Sequence, residues 1–149
     1  MSCIFHLSGN ELDVTKLIGL SPVEPCTVFH KGEARSPRPN ARISRISGIN
    51  IEVSSADFEE FEQQQDDAIA FLSANLASLQ EMRNLPGIER ASLDFGIAMR
   101  SVVVQSDEFV AELIKLLSAL RCGLMLSQYP VGKKSKNLGR YRKALRSAN

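Results

Sequence analysis

Apolar and polar residues alternate over residues 3–8. Cys3, Phe5 and Leu7 fall on one face, and Ile4, His6 and Ser8 on the other. A period of two is the signature of a strand, and Gly9-Asn10 closes it. Residues 13–19 then read as one or two helical turns, with Asp13 as N-cap and Gly19 as the stop. Pro22 and Pro25 bracket a loop, and residues 27–31 form a strand ended by Gly32. Residues 33–40 are irregular, because Pro37 and Pro39 each disfavour helix in the residue before them. Ile49, Ile51 and Val53 alternate with Asn50 and Glu52, which predicts a half-buried strand.

The period then changes. Phe58, Phe61, Ala68, Leu72, Leu76 and Leu79 lie on one stripe at helical spacing, with Gln65 its one polar member. The spacing predicts a helix over 56–84, capped by Ser54 or Ser55. Asp57, Glu59 and Glu60 sit in its first turn, where the positive dipole end favours acids. Such a helix would be about 43 Å long, so a bend or an earlier end is expected before Leu85-Pro86-Gly87 stops it. Ala91, Leu93, Phe95 and Ile97 alternate with Ser92, Asp94, Gly96 and Ala98, the clearest strand of the chain. Residues 102–104 extend it or pair with it. Asp107 and Glu108 open a helix through Phe109, Val110, Leu113, Ile114, Leu117 and Leu120, ended by Gly123. Residues 124–129 make a final strand. Strand, helix and strand joined this tightly form a crossover, hence a right-handed parallel pair. The order β-α-β-β-α-β-α-β predicts an α+β two-layer sandwich, a mixed sheet with helices packed on one face, as a ferredoxin-like variant.

Composition fits one domain. The 149 residues are 44% hydrophobic and 23% charged, near globular averages. Residues 1–129 form that domain, and residues 130–149 are a separate basic tail. The three cysteines are odd in number and far apart, which reads as a reduced, cytoplasmic protein. No apolar run reaches the length of a signal sequence or a membrane span, so no membrane association is expected.

Charge divides the chain at Tyr129. All 17 acidic residues lie at or before Glu112, while seven of the 18 basic ones lie beyond Tyr129. The body therefore carries a charge of −6 and the tail +7. The tail's Lys133, Lys134, Lys136, Arg140, Arg142 and Lys143 are phosphate-neutralising groups, and Tyr141 is a stacking group, so weak nucleic-acid binding is one reading. Leu138, Tyr141 and Leu145 recur at steps of three and four. A second reading is a short amphipathic helix docked on the acidic helix face. A third is a solvated terminus.

No strong catalytic signature is present: no dinucleotide or phosphate loop, no H-E-x-x-H and no G-x-S-x-G. His6 and His30 are the only histidines, and no metal site or cofactor is expected. Tyr129 and Lys133 have the spacing of a short-chain dehydrogenase pair, but Pro130 and Gly132 oppose the helix it needs. Cys122 meets the negative end of a helix, which raises a thiol pKa, so it reads as core and not as a nucleophile. If the apolar alternation faces the helices, His6, Ser8, Asn50, Glu52, Ser92, Asp94, Ser127 and Tyr129 share the opposite face. That face is either solvated sheet surface or a site for a polar ligand, with His6 and Asp94 or Glu52 as an acid–base pair. Arg35, Arg38, Arg42 and Arg45 make a basic loop suited to carboxylate or phosphate, or one simply solubilised by charge.

Several short segments also carry a likeness. They are Phe5-His6-Leu7-Ser8-Gly9 with Asp13-Val14, Lys31-Gly32-Glu33, Leu93-Asp94-Phe95-Gly96-Ile97, and a Leu-rich helix before Leu124-Met125-Leu126-Ser127-Gln128-Tyr129-Pro130. Together they resemble a bacterial domain family of unknown function. The resemblance implies an α+β fold and a bacterial or phage source, and brings no activity or catalytic residues. Some small domains of this sort are immunity proteins to secreted toxins. With the acidic body, that implies a non-enzymatic, cytoplasmic binding protein. Its surface would be the acidic helix face of Glu59, Glu62, Asp66 and Asp67, meeting a basic partner. The alternatives are a small enzyme or ligand-binding domain using His6 and Asp94, and a nucleic-acid binder using the tail.

Overall fold

The computed structural model describes residues 2–130. The expectations for the tail, and for Lys133 beside Tyr129, lie outside the described residues. Nine elements follow in order: β1 (Cys3–Gly9), α1 (Val14–Leu20), β2 (Thr27–Phe29), β3 (Ser47–Ser54), α2 (Phe61–Ala74), α3 (Leu76–Asn84), β4 (Arg90–Met99), α4 (Ala111–Ala119) and β5 (Gly123–Pro130). The five strands form one sheet in the order β2-β3-β1-β4-β5. β1 is antiparallel to β3 and β4, and β2 is antiparallel to β3. β5 runs parallel to β4, as the short strand–helix–strand connection requires. The first four strands thus have the antiparallel β4-β1-β3-β2 order of a ferredoxin-like fold. The α4–β5 unit adds a parallel strand beside β4, so the sheet is mixed and the α+β sandwich stands.

Alternation places the core. Cys3, Phe5 and Leu7 of β1, Ile49 and Ile51 of β3, and Leu93 and Phe95 of β4 are fully buried. They form one cluster with Val14, Leu17, Ala68, Leu72, Leu79, Met82, Leu113 and Leu117 from the four helices. The helices therefore lie on one face. Full burial of each large side chain contributes ~1.5–3 kcal/mol before entropy is counted. Asp13 caps α1 as expected, accepting from the amide of Lys16 at 3.0 Å.

Several boundaries depart from the sequence expectation, each for a visible reason. The helix expected over 56–84 is two helices, and the first begins only at Phe61. Residues 57–60 are used differently: Glu60 Oε2 accepts from the amide of Asp57 at 2.8 Å, and the carbonyl of Phe58 accepts from the amide of Ala98 at the end of β4. The break falls at Asn75, whose side-chain amide donates back to the carbonyl of Phe71 at 2.8 Å. Asparagine readily makes such local bonds at the expense of helix. Residues 102–104 neither extend nor join the sheet. Arg100 donates to Asp107 and to the carbonyl of Ser106, Gln105 donates to the carbonyl of Ala98, and this polar knot throws Val102, Val103 and Val104 into solvent. With Asp107 engaged in it, α4 starts at Ala111 instead of 107.

Gln65, the polar member of the apolar stripe, explains how α4 starts. Its Oε1 accepts from the amide of Val110 and its Nε2 donates to the carbonyl of Glu108, both at 3.1 Å. It stands in for a side-chain cap. At the other end of α4 the chain turns through Arg121, with φ of 48°. Gly123 is not the helix stop but the first residue of β5. Likewise Gly19 lies inside α1. β2 ends at Phe29, two residues early, and β5 takes in Pro130, the first residue assigned to the tail.

Candidate functional site

The sheet face away from the helices carries a row of polar side chains. His6 of β1 lies opposite Asn50 of β3, and Asp94 of β4 lies opposite Ile4, one step along. His6 Nδ1 is 2.7 Å from Asn50 Oδ1, so that nitrogen carries the proton and donates. The other ring nitrogen, Nε2, is 3.8 Å from Asp94 Oδ2. Ser127 of β5 donates to both oxygens of Asp94, at 2.8 and 3.0 Å. Asn50, His6, Asp94 and Ser127 therefore form one line across four neighbouring strands. The structure brings His6 and Asp94 side by side on this face. At 3.8 Å theirs is an ion-pair distance and not a hydrogen bond.

Beside His6 the face is hollow. A pocket of about 270 Å³ is lined by His6, Ser8, Phe29, Arg35, Ile46, Asn50, Arg90, Ser92 and Met125. Arg35 arrives from the loop between β2 and β3. That loop continues the two strands as an arm: the amide of Gly32 donates to Ser44 O, that of Ser44 to Glu33 O, and that of Arg35 to Arg42 O. Asn40 turns the tip, with φ of 64°. Asparagine is the residue after glycine that best tolerates this left-handed region. The arm lays the Arg35 guanidinium 4.2 Å over the Phe29 ring, a cation–π contact, and Arg35 Nε donates to Ser44 Oγ at 3.2 Å. Among the described residues the other two guanidinium nitrogens of Arg35, and all of those of Arg90, have no hydrogen bond.

The basic loop does not act as one unit. All four arginines are exposed, but only Arg35 lines the pocket. Arg90 was missed in the sequence. It precedes Ala91 in the clearest alternation, so extending that strand by one residue assigns Arg90 to the face of Ser92 and Asp94. Of the expected acidic helix face, Glu62 and Asp66 are exposed on α2, while Glu59 is exposed in the turn before it, because α2 begins at Phe61. Asp67 instead accepts from Ser54 Oγ at 2.5 Å and from Gln63 Nε2 at 2.8 Å, which ties α2 to β3. Glu52 lies on the polar face but is not among the pocket residues.

The far end of the polar face is closed by aromatic rings. Phe58 and Tyr129 stack with centroids 4.8 Å apart. Gly96 lies beneath them, and a Cβ there would come within 2.9 Å of Phe58 and 3.2 Å of Tyr129. A second hollow, about 300 Å³, lies between the ends of α3 and α4. Its arginines are already engaged: Arg83 donates to the carbonyls of Arg121 and Ile88, and Arg121 donates to Asn84. They tie the turns that follow α3 and α4 to each other.

The cysteines offer no activated thiol. Burial pushes Cys122 up from 9.0 to about 12, and Cys3 and Cys26 are also raised, chiefly by burial. At neutral pH, Cys122 alkylation is expected to be slow in the folded protein and fast in denaturant. Its folded pKa lies above the unfolded value, so its contribution to stability is intact below pH 9 and lost towards pH 12. Urea midpoints that fall over this window in the native chain, and fall less in Cys122→Ala, test the assignment. No group of three or more potential metal-binding side chains occurs among the described residues, and no helix there is long and apolar enough to cross a membrane. The chain matches no family model, no curated protein and no solved structure.

Proposed function

We propose that the polar sheet face is a binding site for a small anionic ligand bearing a phosphate or carboxylate group. One observation carries this reading: Arg35 and Arg90, 55 positions apart in the chain, converge on one pocket with His6, Ser8, Ser92 and Asn50. A bland solvated face needs polar groups but does not need two arginines gathered around a hollow. Arginine offers a flat fork of donors matched to such oxygens. Serine hydroxyls and the Asn50 amide supply neutral donors, and Phe29, Ile46 and Met125 supply apolar wall; the lining is more polar than that of most small-molecule pockets, as an anion requires. The pocket is open, which suits binding better than chemistry that must exclude water.

Calorimetric titration with inorganic phosphate, pyrophosphate and succinate tests this reading. At least one is expected to bind, and more weakly as salt is raised. Each charge-assisted contact contributes ~1.5–3 kcal/mol, so Arg35→Ala and Arg90→Ala are each expected to weaken binding by roughly ten-fold or more. Arg42→Ala, on the exposed arm, serves as control. Binding that ignored Arg35 and Arg90 would refute the proposal, as would no binding of any of the three.

A second reading is the immunity-like one, capture of a basic protein partner by the acidic helix. The exposure of Glu62 and Asp66 one turn apart on α2 favours it. Asp67 is excluded from that surface by its bonds to Ser54 and Gln63.

A further inference from the structure

We infer that β5 is the seat of a two-fold homodimer, in which the β5 strands of two copies pair antiparallel and join two five-stranded sheets into one. The sandwich is unfinished at this edge. Leu124 and Leu126 lie opposite Leu93 and Phe95 in the parallel register. Those two partners are fully buried, while Leu124 and Leu126 remain 39% and 38% exposed. On the other face Met125 is 38% exposed.

The two edges of the sheet differ. β2 has three residues, and a short edge strand is itself a protection against unwanted pairing. β5 has eight, with no charged side chain among them and proline only at the last position. Its outer edge pairs with no strand among the described residues. Edge strands that stay solitary are blunted by lysine, proline, bulges or brevity, and β5 uses none of these before its last residue.

The occupant follows from symmetry. A two-fold interface requires a patch complementary to itself. Residues 123–127 read Gly-Leu-Met-Leu-Ser, which is close to palindromic about Met125. Antiparallel pairing centred there sets Met125 against the partner's Met125, and Leu124 against the partner's Leu126. Gly123 then meets the partner's Ser127. Apolar faces apolar at the three central positions, with Cβ atoms of directly opposed residues ~4.5–5.5 Å apart. No charge meets its own copy. The two-fold axis runs perpendicular to the sheet, so both helix layers stay on one side and both polar faces on the other. Met125 also lines the arginine pocket, so the partner's Met125 would stand beside that pocket's wall.

Sedimentation velocity on the full-length reduced chain, from about 1 to 100 μM, tests the inference. A concentration-dependent dimer is expected, which Met125→Lys converts to monomer while far-UV circular dichroism stays native. Met125→Cys gives a second test that does not rely on disruption. In a Cys26→Ser, Cys122→Ser background, mild oxidation is expected to yield a disulfide-linked dimer on a non-reducing gel, absent without the new cysteine, while Gly123→Cys yields much less. A full-length chain monomeric at 100 μM, as would result if residues 131–149 cover the edge, overturns the inference. So does a dimer that persists in folded Met125→Lys, or equal cross-linking at positions 123 and 125.

Discussion

Gly9→Ala is expected to destabilise the protein by about 3 kcal/mol or more. Gly9 ends β1 where that strand passes under the turn between α3 and β4. A Cβ on Gly9 would overlap the carbonyl oxygen of Gly87, and would lie 2.9 Å from its carbon and 3.2 Å from the amide nitrogen of Glu89. These are backbone atoms and cannot swing aside. The turn cannot easily retreat, because the amide of Glu89 donates to Ser8 O at 3.0 Å. Gly87 has φ of +92°, and a Cβ on it would stand 2.9 Å from the carbonyl carbon of Glu11, so the turn is wedged from both sides. Gly19→Ala makes the contrast. That glycine lies inside α1 with nothing within 4 Å of its Cβ position. Alanine there is expected to stabilise by ~0.5–1 kcal/mol, through helix propensity. Urea denaturation of the two variants beside the native chain should therefore give shifts of opposite sign. Equal shifts would refute the packing argument.

Phe95→Ala is expected to cost about 3–5 kcal/mol, a large share of the ~5–15 kcal/mol that holds a typical domain. Phe95 is fully buried at the middle of β4. Its ring meets Phe61 of α2 edge-on at 5.7 Å and Phe109 at 5.3 Å, and those two rings meet each other at 5.1 Å. Such contacts add to simple burial. The three rings join the sheet to the start of α2 and to the segment leading into α4, so removing one leaves a cavity where three elements meet. A urea midpoint lowered without a change in slope is the expected result. Because Phe95 and the arginine pocket lie on opposite faces of the sheet, the fraction still folded should bind anion as the native chain does. Loss of binding in step with loss of Phe95, in protein that remains folded, would contradict that separation.

Much of this was legible from periodicity. The alternation of Cys3, Phe5 and Leu7 against His6 and Ser8, and of Leu93 and Phe95 against Ser92 and Asp94, assigned the two central strands and their two faces. His6, Asn50, Asp94 and Ser127 were placed on one face on that basis alone. The antiparallel order around β1 was within reach as a topology because so few elements were available. The misassigned segments share a cause. Residues 57–60 have helical composition but give their backbone to the end of β4. Residues 102–104 have strand composition but lie outside a polar knot built by Arg100, Gln105 and Asp107. Asn75 breaks a stripe that is periodic on either side of it. In each case a few hydrogen bonds, invisible to hydrophobic pattern, outweigh a propensity of a few tenths of a kcal/mol per residue.

The sequence by itself determined which residues are core, which sheet face is wet, where most elements lie and how charge is divided. Those properties follow from the local period and from composition, and need no knowledge of what is far away in the chain. Only the tertiary structure decided that Arg35 and Arg90 share a pocket, that Asp67 belongs to a structural tie and not to an acidic surface, and that the outer edge of β5 pairs with no strand among the described residues. Each depends on the β2-β3-β1-β4-β5 order and on the path of one arm. Strand order is set by which faces bury together most completely, a property of the whole chain that no single window of sequence contains.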